Sequence, residues 1–484
     1  MVEHYISMVA HRVQALMGRI EGAPQPSHAS MAAATLSEIL LRILSRFFDE
    51  LGSLHREMKH HPLEDTVRQV RTIHLATVRI VHELVEGLRV AGSDSPAASI
   101  IEAYAQIANL VEYGTQTLVY PTWDYNASYD EIMTTLRTMT GSLGSDTGEA
   151  VFSGAPRSFL VITYPVAEEE MVLRHAFIAH EIGHFIDHTE GWSRSILEEQ
   201  VFEEEDFDKI VEANQRQEGE GNRDEVFREA LLLVDEIAPL WIREVIADLL
   251  AVCVLGPAYL LAFDEVSLSP RFSSPQTLNR SHPPGLLRKE IAGRLTRELY
   301  LEPIRSGRSS ARLSQEDQGL LDEICHWTDT ILDTDPPNLV TIRNTTDLAP
   351  EIVSAVYATL RNAIDRAITR IGTIELDRIR DRQWFCTERD IVDALRLSHL
   401  ISHGLTPTEL YSEPSREPSF AAVMNSGWFH FLHSRQDYLY FGHPPNEPHP
   451  DEVRDRYVNL QSLIAKGVES LQFKREFLRR KGTG

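Results

Sequence analysis

His180-Glu181-Ile182-Gly183-His184 sets two imidazoles four residues apart with a carboxylate between them. On an α-helix, residues four apart stand one above the other, so both rings can aim a nitrogen at a single ion. Glu181 falls on the neighbouring edge of the same face, where its carboxylate can take a proton from a water acidified by zinc. The chemistry expected of this trio is hydrolysis, with Zn2+ bringing the water's pKa close to neutrality. The flanks suit a helix: Ala176, Phe177, Ile178, Ile182, Phe185 and Ile186 supply apolar packing. Gly183, poor in an exposed helix, permits close approach of another backbone.

A catalytic zinc needs a third protein ligand and a position open to water. His188 continues the helical face, but a third ligand in line on one straight helix splays away from the ion. Glu190 falls where a metzincin places its third ligand, yet Asp187 stands where that pattern requires a glycine. Glu244 is preferred to both. In Trp241-Ile242-Arg243-Glu244-Val245-Ile246-Ala247-Asp248 an otherwise apolar helical face carries Glu244 and, one turn on, Asp248. Buried carboxylates require partners. Zinc would satisfy Glu244, and Asp248 can accept the outer N–H of a ligating histidine and fix its orientation.

These helices must be held by the rest of a 484-residue chain, of which 42% is apolar. The expected fold is mainly α with a small β element, in three parts: a helical region over 1–150, a metallopeptidase core over 151–300 and a helical region over 301–484. From Met31 to about Glu112 apolar residues recur at helical spacing, broken at Pro62 and at 92–96. Glycines and serines between Thr140 and Arg157 read as a flexible connection. Ser158 to Tyr164 is the clearest strand, and a helix from about Ala167 leads into the motif. Leu197 to Asp224 is dominated by acids and reads as a solvated insertion. The helix resuming at Glu225 meets a break or kink at Pro239. Another helix starts near Gly285, and from Leu313 onward the chain is again mostly helical, with looser patches at 412–418 and 444–450.

Forty-seven basic residues against 72 acidic ones give a net charge of −25, which argues against a nucleic-acid backbone or an anionic membrane as partner. The apolar run Val245 to Phe263 is interrupted by Asp248 and Gly256-Pro257, so a buried helix ending near Leu255 is expected rather than a membrane span. Met1 to Arg19 lacks the apolar core of a secretion signal. Three scattered cysteines indicate neither a disulfide framework nor a thiolate metal site, and a cytoplasmic location is expected. His430, His433, His443 and His449 lie among aromatic residues with no carboxylate at ligand spacing, which reads as aromatic core and surface loop.

The order His-Glu-Ile-Gly-His, then Glu244-Val245-Ile246-Ala247-Asp248, then Ser281-His282-Pro283-Pro284 and Arg288, resembles the gluzincin metallopeptidases, nearest the CAAX prenyl protease and HtpX-like family. The matching motifs span about 180 to 290, and the membrane spans common in that family are missing. The resemblance implies a zinc endopeptidase acting on a protein or peptide, with zinc on His180, His184 and Glu244, Glu181 as base and Asp248 behind the ligands. His282 and Arg288 would be substrate-side or structural. His282 is the first choice for stabilising the oxyanion, with Tyr164 and Tyr259 behind it, and a turn-capping role suits His282 equally. The 158–164 strand suits either edge pairing with an extended substrate or simple core packing.

Repressor-cleaving regulatory metallopeptidases share His-Glu-Ile-Gly-His and a similar second helix, at a shorter separation. Two further readings compete: a non-catalytic zinc-containing regulatory or interaction protein, and a zinc hydrolase of a non-peptide amide.

Overall fold

The computed structural model describes residues 2–22, 31–57, 63–80, 84–85, 88, 98–122, 128–141, 151–165, 171–198, 201–216, 223–267, 277–308, 313–333, 341–342, 348–410, 416–434 and 450–480. The chain is mainly helical and forms two units, one of residues 1–101 and 112–169, the other of 102–111 and 170–484.

In the first unit, α1 (Val2–Glu21), α2 (Met31–Glu57) and α3 (Leu63–Ile80) pack through apolar stripes at helical spacing. Ile6, Val9, Val13, Leu16 and Ile20 of α1 meet Leu36, Leu40, Ile43 and Phe47 of α2 in one core. Next come α4 (Ala98–Val111), whose residues divide between the units, then β1 (Gln116–Thr122), β2 (Ser128–Glu131), α5 (Ile132–Gly141) and β3 (Phe159–Pro165). The expected strand is β3, and it is the middle strand: β1 pairs with it in parallel and β2 antiparallel. With its 160–163 stretch paired on both sides, it offers no edge there to an extended substrate, and Phe159 to Ile162 are core residues. The partner run Gln116–Thr122 was not anticipated.

The second unit carries a 3-10 turn (Val172–Phe177), α6 (Ile178–Glu190), α7 (Trp192–Glu198), a 3-10 turn (Glu204–Phe207), α8 (Asp208–Gln215), α9 (Arg223–Leu255) and α10 (Pro257–Ser267). Then follow β4 (Thr277–Leu278), α11 (Gly285–Thr296), a π-helical turn (Arg297–Leu301), α12 (Glu302–Arg305), α13 (Gln315–Leu332), β5 (Thr341–Ile342), α14 (Pro350–Ile379), α15 (Glu388–Ser402), α16 (Phe420–His433) and α17 (Pro450–Arg480). The motif helix starts at Ile178 rather than near Ala167, and Gly191 in the left-handed conformation closes it. The second helix runs unbroken through Pro239. It ends at Leu255, where Gly256 takes φ +62° and Pro257 opens α10. Among the described residues no helix is long and apolar enough to cross a membrane.

The division after Glu169 differs from the three parts expected from sequence, because residues beyond 301 are built into the motif helices' own core. Asn425 of α16 accepts a hydrogen bond from Ala258 N at 2.7 Å and donates to Leu255 O at 2.6 Å, which holds the α9–α10 turn. Cys386 N donates to Cys253 O at 2.7 Å. Over its described part the acidic 197–224 segment keeps Glu203, Glu204, Glu205, Asp208 and Glu212 exposed, as expected, but it also packs through buried Val201, Ile210 and Ala213 and one buried acid. Asp206 is buried, paired with Arg366 and bonded to Asn362 Nδ2 at 3.0 Å, while Thr359 donates to its carbonyl at 2.8 Å. A side chain 160 positions later, on α14, neutralises what composition alone marks as solvent-loving. The expected breaks at 92–96, 142–150, 412–415 and 444–449 lie outside the described residues.

Candidate metal centre

Helix α6 lies against α9, and Gly183 sets how closely. A Cβ on Gly183 would stand 2.3 Å from Ala247 O and 2.9 Å from Ala247 Cα, so only glycine permits this separation. The contact places Glu244 and Asp248, on one face of α9, opposite His180 and His184, on one face of α6. Gly183→Ala is expected to cost about 1–3 kcal/mol through overpacking against backbone that cannot rotate away. Because the same displacement moves His180 and His184 off Glu244, any zinc held by the three should be bound more weakly. Thermal melting and zinc titration of the variant check both effects.

His180 Nε2 stands 3.4 Å from Glu244 Oε2, and His184 Nε2 stands 3.4 Å from Glu244 Oε1. One ligand atom from each residue can be chosen so that all lie within 4.8 Å of one another. Glu244 Oε2 is buried and accepts no hydrogen bond. Arg288 Nη1 and His180 Nε2, each 3.4 Å away, offset its charge without a well-formed hydrogen bond, and an ion between the imidazoles and this oxygen would supply the missing partner. Each imidazole–carboxylate separation, though to a different Glu244 oxygen, matches the roughly 3.3–3.4 Å between neighbouring atoms bonded at roughly 2.0–2.1 Å to a tetrahedral zinc. The donor set, two imidazoles and a carboxylate, is also one that zinc takes at catalytic centres. His188 and Glu190, the other candidates on α6, do not join this group; Glu190 faces Arg382 at 3.5 Å.

Behind the cluster, Asp248 is fully buried and gathers four contacts. His180 Nδ1 lies 2.9 Å from its Oδ1, Arg288 donates from Nε to Oδ2 and from Nη2 to Oδ1, both at 2.7 Å, and the Tyr259 hydroxyl donates to Oδ1. Arg288, on α11, also stands 3.4 Å from Glu244 Oε2 and lies over the Phe263 ring. It is buried on the Asp248 side, a structural position rather than a substrate-facing one. Tyr259 is buried too, and its hydroxyl is committed to Asp248 rather than directed at a substrate. Tyr164, its companion in the sequence reading, sits buried on β3 of the first unit.

His282 is different. Trp241 Nε1 donates to Asn279 O at 3.0 Å and holds the Asn279–His282 segment beside α9. Ser281 Oγ lies 2.8 Å from His282 Nδ1, and His282 Nε2 reaches to 3.7 Å from Glu244 Oε1. At 47% and 21% exposure, His282 and His184 mark the side on which the cluster opens to solvent, whereas His180 is 5% exposed.

Burial and the Arg288 charge oppose protonation of His180, but the carboxylates of Asp248 and Glu244 outweigh them and push its pKa up to about 9. Burial raises the Glu244 and Asp248 values, yet the cationic partners prevail, driving Glu244 far below the carboxylate range and Asp248 down to about 2. Glu181 moves the other way: its burial raises the pKa against the pull of His180 and His184. Burial lowers the His282 value, with Glu244 opposing.

A pH dependence follows from His180. Protonated His180 stabilises the metal-free protein below the ordinary histidine value, and that contribution is lost as pH rises through about 9. A zinc ion held by His180 would require the neutral ring, so its affinity would rise with pH over this window and its binding near neutrality would release about one proton from His180. Calorimetric zinc titrations in two buffers of different ionisation enthalpy measure that release.

The second histidine group contributes no metal cluster among the described residues. His430 is buried in α16, His433 Nδ1 pairs with Glu323 at 2.9 Å, and His443 and His449 lie outside the described residues. No family model, curated protein or solved structure matches this chain.

Proposed function

We propose that the chain is a zinc-dependent endopeptidase of gluzincin type, with a zincin-like core around α6 and α9, acting on a protein or peptide substrate. The observation that carries the proposal is the 3.4 Å spacing of the His180 and His184 nitrogens from the Glu244 oxygens, around a carboxylate oxygen with no hydrogen bond. His180, His184 and Glu244 would hold the ion, which when bound polarises a carbonyl and acidifies water. Glu181, one residue from His180 and raised in pKa, takes a proton from the attacking water as its oxygen adds to the carbonyl carbon. It then passes that proton to the amide nitrogen as the C–N bond breaks, leaving a carboxylate and an amine. His282, at the open side, offers a hydrogen-bonding nitrogen to the carbonyl oxygen as charge develops there.

The test is incubation of purified protein with a peptide library derived from a digested proteome, with new termini read by mass spectrometry. New amine termini that appear with zinc-loaded protein and vanish after chelation support the proposal. A zinc-loaded protein that produces none above the chelated control contradicts it.

A further inference from the structure

Asp248 Oδ1 receives three donors at once, His180 Nδ1, Arg288 Nη2 and the Tyr259 hydroxyl. Arg288 alone engages both carboxylate oxygens and already neutralises the charge. Charge balance therefore does not explain why a tyrosine hydroxyl is brought to the same atom. Its placement is built in some detail. Gly256 takes a left-handed turn in which a Cβ would meet Cys386 Sγ and Ile391 Cδ1 at 3.1 Å, and Asn425 clamps both sides of that turn. Tyr259 follows one residue after the clamped Ala258. Its ring stacks on Phe263 and on Phe177, and Phe177 in turn stacks on the His180 imidazole with centroids 5.7 Å apart. Tyr259 thus reaches His180 by two routes, through Asp248 to the ring nitrogen and through Phe177 to the ring face.

We infer that Tyr259 is a positioning residue for His180: its hydroxyl fixes the rotation of the Asp248 carboxylate so that Oδ1 stays in line with His180 Nδ1 and Nε2 stays aimed at the metal position. Arg288 sets the plane of the carboxylate through its bidentate fork, but its guanidinium is shared with Glu244 Oε2 at 3.4 Å and stands 3.3 Å from His180 Nδ1. The Tyr259 hydroxyl, approaching from α10, gives Oδ1 an anchor that does not depend on that shared group. The inference rests on zinc being held by His180, His184 and Glu244.

The experiment compares zinc and cobalt binding to the wild type, Tyr259→Phe and Tyr300→Phe in the full chain. Tyr300 is the matched control: it is equally buried, and its hydroxyl donates to Val252 O of the same helix α9 at 3.1 Å, away from the ligands. Tyr259→Phe should weaken zinc binding by about 10–100-fold, the usual effect of losing a partner behind a metal ligand, and should shift the visible spectrum of the cobalt form. Tyr300→Phe should leave both unchanged, and metal-free melting curves of both variants should stay cooperative. Zinc affinity of Tyr259→Phe within twofold of wild type overturns this inference alone, as does equal weakening by Tyr300→Phe. Failure of the wild type to bind zinc overturns the metal centre and this inference together.

Discussion

Glu181→Gln is expected to keep the zinc and lose the cleavage. Glutamine preserves the size of the side chain and a polar end in a buried position, so the α6–α9 packing survives. What it removes is proton affinity. A positioned general base contributes on the order of 10²–10⁴-fold, and cleavage should fall by that factor in kcat with little change in KM. Burial raises the pKa of Glu181 and thereby makes its carboxylate a stronger base than an exposed glutamate. Zinc content measured beside peptide turnover checks the prediction. Unchanged turnover would remove Glu181 from the chemistry, and a protein that binds zinc but cleaves nothing even as wild type would favour the non-catalytic zinc protein.

Asp248→Ala should have the largest effect on the fold. Arg288 is 3% exposed and its guanidinium makes two 2.7 Å hydrogen bonds to Asp248. Removing the carboxylate leaves a buried cation facing a cavity, and breaking a buried pair in this way costs about 3–5 kcal/mol. The Tyr259 hydroxyl and His180 Nδ1 lose their acceptor in the same step. Asp248 is held near pKa 2, so its contribution is complete at neutral pH and is lost only as pH falls towards that value. Urea unfolding of the metal-free protein measures the loss. Replacing both partners, Asp248→Leu with Arg288→Met, should recover much of the stability but not the zinc affinity, because an apolar pair satisfies the core and does nothing for His180. A double variant that bound zinc like the wild type would show that Asp248 is not needed behind the ligand.

The cluster itself was legible because it depends on helical periodicity. His180 with His184, and Glu244 with Asp248, are each four apart, and two such pairs on apolar helices have few ways to bury their polar atoms except against each other. Gly183 was legible for the same reason, since a glycine on a buried helical face marks a backbone contact, here with Ala247. The role of Tyr259 was not. It depends on the Gly256 turn folding α10 back along α9, and that turn is fixed by Asn425, some 170 residues later. In the acidic segment the exposure of Glu203 to Glu205 follows from charge density, but the burial of Asp206 does not, because it depends on the distant Arg366. The strand at Phe159–Pro165 is visible in its β-branched residues, but its central place depends on pairing with β1, whose Thr117-Leu118-Val119-Tyr120 run is equally β-favouring but carries no signal of its partner.

The most direct test of the metal centre is anomalous diffraction at the zinc edge from crystals of the zinc-loaded protein. The predicted result is one ion per chain, bonded at about 2.0–2.2 Å to His180, His184 and one Glu244 oxygen, with a remaining position facing His282. An ion bound elsewhere, or one held by the two histidines with Glu244 more than about 5 Å away, far beyond any zinc–oxygen bond, would contradict it.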